Sequence, residues 1–211
     1  MGKSKELATL TDANVVLDGQ LGIKTTPASP LHVKARGVAW EDHVTLEDTG
    51  STKWNILVDQ GAEGRLRIRH ENNNTNALNI DTGGRVTMPF QPSFYVRLLT
   101  AVTTRNAVVV FDEVRLNNGG GYNASNGRYT APVSGVYLMT AGFLPNVDNN
   151  SYAYIQVNGT RYSERIYNQY SDQHSATSLH VALDAGDYVE FYTVGDGTEA
   201  FYCHFGGHLI G

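Results

Sequence analysis

Four acidic side chains are candidates for binding a ligand, because each lies in a loop rich in polar turn residues. They are Asp148, Asp172, Asp196 and Glu199, with Asn149, Asn150, Gln173 and Thr198 beside them. Carboxylate and amide oxygens are the ligands that Ca²⁺ prefers, and they also hydrogen-bond to sugars and proteins. The sequence predicts a ligand-binding surface here, with calcium possible at the four carboxylates and no other cofactor. Solvated turn residues are the alternative.

A second group of candidate metal ligands lies near the C-terminus. His204 and His208 share one face of a predicted strand but lie about 13 Å apart, and Cys203 points to the other face. A structural role in a subunit interface or at the surface is therefore favoured over a zinc site.

Sequence signatures of catalysis are missing. A hydrolase needs a carboxylate pair or a Ser-His-Asp set, and the chain shows no local motif for either. The glycine-rich run at residues 117–121 precedes no helix that could bind phosphate with its amides. We therefore expect that the protein is not an enzyme.

Charge and hydropathy argue against nucleic acid and membranes as partners. The net charge of −5 gives no general attraction for nucleic acid, and no run of 18 apolar residues predicts membrane insertion. The N-terminus lacks the apolar region of a secretory signal peptide, so synthesis in a cytoplasm is expected.

The positions of apolar residues predict an all-β protein. They alternate with polar residues or form short blocks, and turn residues separate them, as in β-strands. Asn158-Gly159, between YAYIQV and TRYSERIY, predicts a hairpin turn. The early predicted strands are VVL, LGI, VTLED, WNILVD, RLRIRH, ALNID and RVTMP. The later ones lie near residues 94–100, 106–111, 113–117, 127–131, 134–144, 152–158, 161–170, 175–183, 187–194 and 203–210.

A change of composition near residue 90 predicts a domain boundary. All twelve tyrosines lie at Tyr95 or later, and all five lysines at Lys53 or earlier. We predict an attachment segment at residues 1–40, a β-rich shaft at 41–89 and a head at 90–211. The shaft is too short to bury a sizeable core alone, so we expect several chains to share one core.

The head region resembles the complement-1q-like family. The resemblance lies in FDEVRLNNGGGYNASNGRYTAPVSGVYLMTAGF, in LDAGDYVEFYTVGDG and in the C-terminal FGGHLIG. That family is a trimeric jelly roll related to the tumour necrosis factors. The resemblance implies an antiparallel jelly-roll sandwich and a homotrimer, and it leaves the ligand open. Tyr188 and Tyr192 share one strand face, and Val189 and Phe191 share the other, so one pair can fill the sandwich and the other a subunit interface.

The region before residue 90 resembles phage tail fibres. LGIKTTPASPLHVKARG is similar to a Gly-Ile-Gly-Thr-Thr-Ser-Pro…Leu-His-Val segment of those fibres and of bacterial surface proteins, except that Lys24 replaces a glycine. The two resemblances together predict a virion fibre protein, located in the virion and assembled in the host cytoplasm. Its expected partners are other virion proteins, bound through the N-terminus, and a host-surface glycan or protein.

Counting strands predicts which loops bind the host. The family resemblance places both termini at the base of the head, and loops between antiparallel strands alternate between the two ends. Loops 145–151, 171–174 and 195–202 then lie at the apex, and loops 158–160 and 184–186 at the base. The apical loops hold the eight polar residues named above, and a trimer would present them three times.

Two other functions remain open. A soluble cytokine-like or lectin-like trimeric binding module is the alternative to the fibre, and the shaft resemblance favours the fibre. A glycan-degrading enzyme carried on a fibre is a weaker third hypothesis.

Overall fold

The structure is a computed structural model that describes residues 21–23, 31–33, 44–59, 64–101, 106–146, 150–195 and 197–211. The predicted attachment segment lies almost entirely outside these residues. The chain divides into two compact units, Met1–Pro89 and Phe90–Gly211. The described residues are all-β, as predicted, and none of them forms a helix long and apolar enough to cross a membrane.

The first unit contains a parallel strand pair and an antiparallel meander. The pair is β1 (Leu21–Ile23) and β2 (Leu31–Val33). The five meander strands lie side by side in chain order: β3 (Val44–Glu47), β4 (Lys53–Val58), β5 (Leu66–His70), β6 (Thr75–Ile80) and β7 (Val86–Thr87). These five strands coincide with the predicted segments from VTLED to RVTMP.

Matching turns close two of the hairpins in the meander. In DTGST the Asp48 carboxylate accepts hydrogen bonds from the N–H groups of Gly50 and Thr52, at 2.9 and 2.8 Å. In DTGGR the Asp81 carboxylate accepts them from Gly83 and Arg85, both at 2.9 Å. Such Asx turns satisfy backbone donors where the strand ladder ends.

One face of the meander is largely apolar, with His70 and Thr75 as its polar members. Residues paired across neighbouring strands point to the same side of a sheet, and the register aligns ten apolar residues in this way. We call this surface the aliphatic face; it consists of Val44, Leu46, Trp54, Ile56, Val58, Leu66, Ile68, Leu78, Ile80 and Val86. Most of these side chains are exposed, with Leu46 at 59% and Val86 at 56%.

The opposite face of the meander is polar apart from Leu57, and it is buried at its centre. Arg67 donates a hydrogen bond to the Asp59 carboxylate, and both side chains are 8% exposed. Asn55 and Asn79 are also buried on this side. In RLRIRH the arginines alternate with Leu66 and Ile68; Arg67 is buried and Arg65 and Arg69 are half-buried, whereas most of the aliphatic face is open to solvent.

The second unit is a sandwich of two antiparallel sheets. The first sheet has the order β10-β8-β19-β13-β17, and the second has the path β11-β12-β18-β14-β15 with β16 and β9 paired beside it. The strands of the first sheet are β8 (Ser93–Arg97), β10 (Glu113–Asn118), β13 (Gly135–Phe143), β17 (Ser175–Leu183) and β19 (His204–Leu209). Those of the second are β9 (Ala107–Val108), β11 (Tyr122–Asn123), β12 (Arg128–Thr130), β14 (Ser151–Val157), β15 (Thr160–Arg161), β16 (Ile166–Asn168) and β18 (Tyr188–Val194). The jelly-roll sandwich is as predicted.

Aromatic rings fill the centre of the sandwich. Phe94 stacks on Tyr129 with ring centroids 4.1 Å apart, and Phe205 contacts Phe94 edge-on at 4.9 Å. Phe111 and Phe191 complete the cluster. All five side chains are at most 2% exposed, so this aromatic cluster joins the inner faces of the two sheets.

Both ends of the second unit meet at one end of the sandwich, the base. The Leu209 N–H donates to the Pro92 carbonyl at 2.9 Å, and the Val136 N–H donates to the Gly211 carbonyl at 2.7 Å. The predicted Asn158-Gly159 hairpin turn lies here too, and the Asn158 amide donates to Asp187 at 2.8 Å. Asn158 and Gly159 have φ of 52° and 76°, as a tight two-residue hairpin needs.

One predicted strand is interrupted. The segment 161–170 forms two short strands, β15 and β16, instead of one. Between them the Ser163 hydroxyl accepts the Ile155 N–H at 2.8 Å and donates to the Glu164 carbonyl at 2.8 Å. A side chain that replaces a ladder hydrogen bond in this way lets the strand bend.

Candidate functional site

The end of the sandwich opposite the base, which we call the apical end, is formed where several strands begin or finish. β17 and β19 both begin beside the end of β13, because Ser175 pairs with Phe143 and His204 pairs with Gly142. The second sheet contributes the start of β14, which pairs with the end of β18. The loops between these strands therefore emerge at one end, which is the placement that strand counting predicts.

Backbone hydrogen bonds join two of the apical loops. The Asn146 N–H donates to the Gly197 carbonyl at 3.1 Å, and the Glu199 N–H donates to the Leu144 carbonyl at 2.9 Å. Segments 144–146 and 197–199 thus lie side by side, although about fifty residues separate them in the chain.

Three of the eight predicted binding residues, Asp148, Asn149 and Asp196, lie outside the described residues. Asn150, Asp172 and Gln173 are exposed, which leaves their polar groups accessible to a ligand. The Asn150 amide oxygen also accepts a hydrogen bond from the Tyr167 hydroxyl at 2.5 Å.

The remaining two predicted residues differ in exposure. Thr198 forms a β-bridge with Pro145 and is only 1% exposed, so it is not on the accessible surface. The expectation that its hydroxyl faces a ligand needs correction, because pairing between the two loops turns it inward. Glu199 is half-buried.

The calcium hypothesis rests on four carboxylates, of which Asp148 and Asp196 are outside the described residues. Within the part of the chain that the structure describes, no group of three or more His, Cys, Asp or Glu side chains is placed to hold a metal ion. Calcium binding at Asp148, Asp172, Asp196 and Glu199 therefore stays a prediction.

The cysteine near the apical end is inert. Cys203 is buried, and burial raises the pKa of its thiol to about 11. Its sulfur accepts the Leu144 N–H at 3.3 Å. Because a protonated, buried thiol is a poor nucleophile and a poor metal ligand, Cys203 acts in packing.

The C1q domain family matches residues 93–210, which is more than half of the chain. This chain belongs to the C1q domain family. Complement C1q tumor necrosis factor-related protein 3 from human is 29% identical over 94 residues, and so is its mouse counterpart. The match covers 44% of this chain and 38% of each relative, so the chain spans well under half of their length.

Solved structures of similar fold cover just over half of the chain. The globular domain of zebrafish complement 1qA is 18% identical, with a TM-score of 0.49, and covers 57% of this chain and 98% of that one. Murine APRIL at pH 5.0 is 13% identical, with a TM-score of 0.47, and covers 57% and 99%.

The sequence relatives correct the predicted localisation of the protein. Its sequence relatives are human and mouse proteins and not components of a virion, so the predicted localisation in a virion is wrong. They support the alternative, a cytokine-like or lectin-like binding module, better than the virion fibre. Membership of the C1q domain family also supports the predicted homotrimer.

A histidine pair near the apical end of the C1q domain was not predicted. The rings of His174 and His204 stack with centroids 5.9 Å apart, over Gly142 of β13. A Cβ at Gly142 would lie 2.7 Å from His174 Nε2, so only glycine leaves room for both rings. The sequence signal is a glycine inside an otherwise bulky strand, which marks a close approach by other groups.

Acid should destabilise the C1q domain through this pair. Burial, and then the charge of His174, lower the pKa of His204 from its usual 6.5. The unfolded chain then binds this proton more readily than the folded one. The stability that the neutral His204 ring contributes to the folded domain is therefore fully present above about pH 6.5. It is lost as pH falls through the lowered pKa of the folded state. The other groups facing His204 are the Tyr95 ring at 5.9 Å and Arg97, which is paired with Glu113.

Urea unfolding at about pH 7.5 and about pH 5.5 measures this effect. We expect His204→Gln to reduce the acid-induced fall in the midpoint relative to wild type. His180→Gln removes another histidine from the same outer face of the first sheet and serves as the matched control. An unchanged fall in the His204 variant would contradict the assignment.

Proposed function

We propose that this chain is a non-enzymatic binding module that acts as a homotrimer through its C1q domain, in a cytokine-like or lectin-like manner. The observation that carries the proposal is the family match over residues 93–210. The inert packing of Cys203 agrees with a binding role.

The outer face of the first sheet is the surface that we assign to the trimer. Its central strands carry Val136, Leu138, Thr140 and Gly206, together with His204 and His208 of β19. Val136 is 40% exposed in the single chain. Charged residues of this face are confined to the β8–β10 edge, where Glu113 binds two arginines. Interface centres are depleted of charge in the same way.

The outer face of the second sheet is less suited to a subunit interface, because its aromatic rings already pack on one another. Tyr154 stacks on Tyr192 at 5.3 Å, and the Arg128 guanidinium lies 4.1 Å above the ring of Tyr188. The buried Glu190 carboxylate accepts a hydrogen bond from Arg128 at 2.8 Å. The tyrosine pair predicted for an interface, Tyr188 and Tyr192, lies on this face, and that use of it stays a prediction.

The apical loops are the surface that we assign to the ligand. Asn150, Asp172 and Gln173 are exposed there, and polar side chains of this kind hydrogen-bond to sugar hydroxyls or to protein backbone. A trimer presents each loop three times, so weak single contacts combine into stronger binding. The ligand is accordingly a glycan or a protein on a surface that displays it repeatedly.

A printed glycan microarray tests the ligand surface. We expect the full chain to bind selected glycans, and a variant with Asn150→Ala, Asp172→Ala and Gln173→Ala to lose most of that binding. A control variant carries Asp184→Ala and Thr160→Ala, two exposed positions at the base, and should bind like wild type. Equal loss in both variants would contradict the apical assignment. An array without any bound glycan would exclude the lectin-like form and leave the cytokine-like one.

A further inference from the structure

The meander of the first unit has the polarity of its two faces inverted. A sheet with one solvated face normally buries its apolar side and exposes its polar side. Here Asn55 is fully buried on the polar face, whereas Trp54 and Ile56 on either side of it are 38% and 37% exposed. Most side chains of the aliphatic face are exposed in the described part of the chain, although apolar side chains of this size are usually buried.

The aliphatic face exposes many apolar side chains in one contiguous patch. Seven of its side chains are exposed by more than a third, among them Leu46, Val58 and Val86. The largest apolar patch of a monomer, typically about 300–600 Å², often marks an interaction site. A patch of this kind, spread over five strands, points to a partner surface.

The chemistry of the face indicates which partner it fits. The face carries no Asp, Glu, Lys or Arg, and its one titratable side chain is His70, which packs edge-on against Trp54 at one end. Identical faces can therefore pack together without burying an unpaired carboxylate, ammonium or guanidinium group. Val44, Ile56 and Ile68 form a cross-strand row of β-branched side chains at its centre, which suits sheet-on-sheet packing. The face is therefore complementary to itself.

We propose that the aliphatic faces of three copies of this chain pack against one another and form a shared core for the first unit. The inference rests on the homotrimer proposed above, because the C1q domains would hold the three copies together. Tethering makes contact between the faces an intramolecular event at an effective concentration of about millimolar. Even modest pairwise affinity between the faces then suffices.

Thiol cross-linking of the full chain tests the shared core. Ile56→Cys places a thiol at the centre of the aliphatic face, and Thr45→Cys places one at an exposed position on the opposite face of the same sheet. With a short bismaleimide we expect rapid inter-chain cross-links for Ile56→Cys and few for Thr45→Cys. The native Cys203 is buried and gives the background in wild type. Val58→Cys, on the same face, repeats the test if Ile56→Cys does not fold.

Light scattering and labelling with a bulky maleimide separate the contrary outcomes. A trimer whose Ile56→Cys thiol is protected but not cross-linked would mean that another part of the same chain covers the face, and would overturn the inference. A trimer in which this thiol is labelled freely, or in which both positions cross-link equally, would overturn it as well. A monomeric chain would overturn both the shared core and the proposed trimer.

Discussion

A chain carrying Leu138→Arg is expected to stay folded but to lose the trimer. Leu138 lies at the middle of β13, where the register places His180 on one side and His208 on the other. The side chain points away from the core, so a single copy can hold the guanidinium in water. In the proposed trimer three such groups would be buried without an acidic partner, which costs several kcal/mol. Since each 1.4 kcal/mol is a factor of about ten, association should weaken by orders of magnitude.

Sedimentation velocity reports this change directly. The matched control is Tyr162→Arg, which adds the same charge at a position of the second unit that is 52% exposed. We expect the control to sediment as wild type does and Leu138→Arg to sediment as a monomer. If both variants sediment as wild type does, another surface must form the trimer.

Phe205→Ala should give the largest loss of stability. Its ring contacts Phe94, Phe111 and Phe191, at centroid distances of 4.9, 6.2 and 6.2 Å, and is fully buried. Removing a buried phenylalanine side chain leaves a cavity and costs about 3–5 kcal/mol. That is a large share of the stability of a typical domain, about 5–15 kcal/mol.

Urea unfolding at a fixed protein concentration measures this loss, because the stability of an oligomer depends on concentration. Phe201→Ala removes the same side chain from an apical position that is 59% exposed, and should change the unfolding free energy by less than about 1 kcal/mol. Similar losses in the two variants would show that the aromatic cluster is not the centre of the core.

Local sequence patterns were sufficient to predict most strands. The period-two alternation of β18 predicts that Val189 and Phe191 share one face and Tyr188 and Tyr192 the other, and the structure buries Val189 and Phe191. Turns such as Asn158-Gly159 were predicted because their backbone needs positive φ, which few residues adopt. These features depend on neighbouring residues in the chain, so they can be predicted without knowledge of the fold.

Features that depend on distant residues were not predictable in this way. Thr198 is buried because its loop pairs with Pro145, fifty-three positions earlier in the chain. The His174–His204 pair forms because two separate strands begin beside Gly142. Alternation in RLRIRH indicates that its two faces differ, but it does not indicate which one is covered. In each case the deciding contact is tertiary.

The mass of the full chain in solution tests the central claim, a trimeric C1q binding module, most directly. Sedimentation equilibrium should give three times the 23.1 kDa mass of one chain, unchanged by dilution through the micromolar range. Such a mass would establish the trimer, and Leu138→Arg then tests which face forms it. A stable 23.1 kDa species at the same concentrations would contradict the claim.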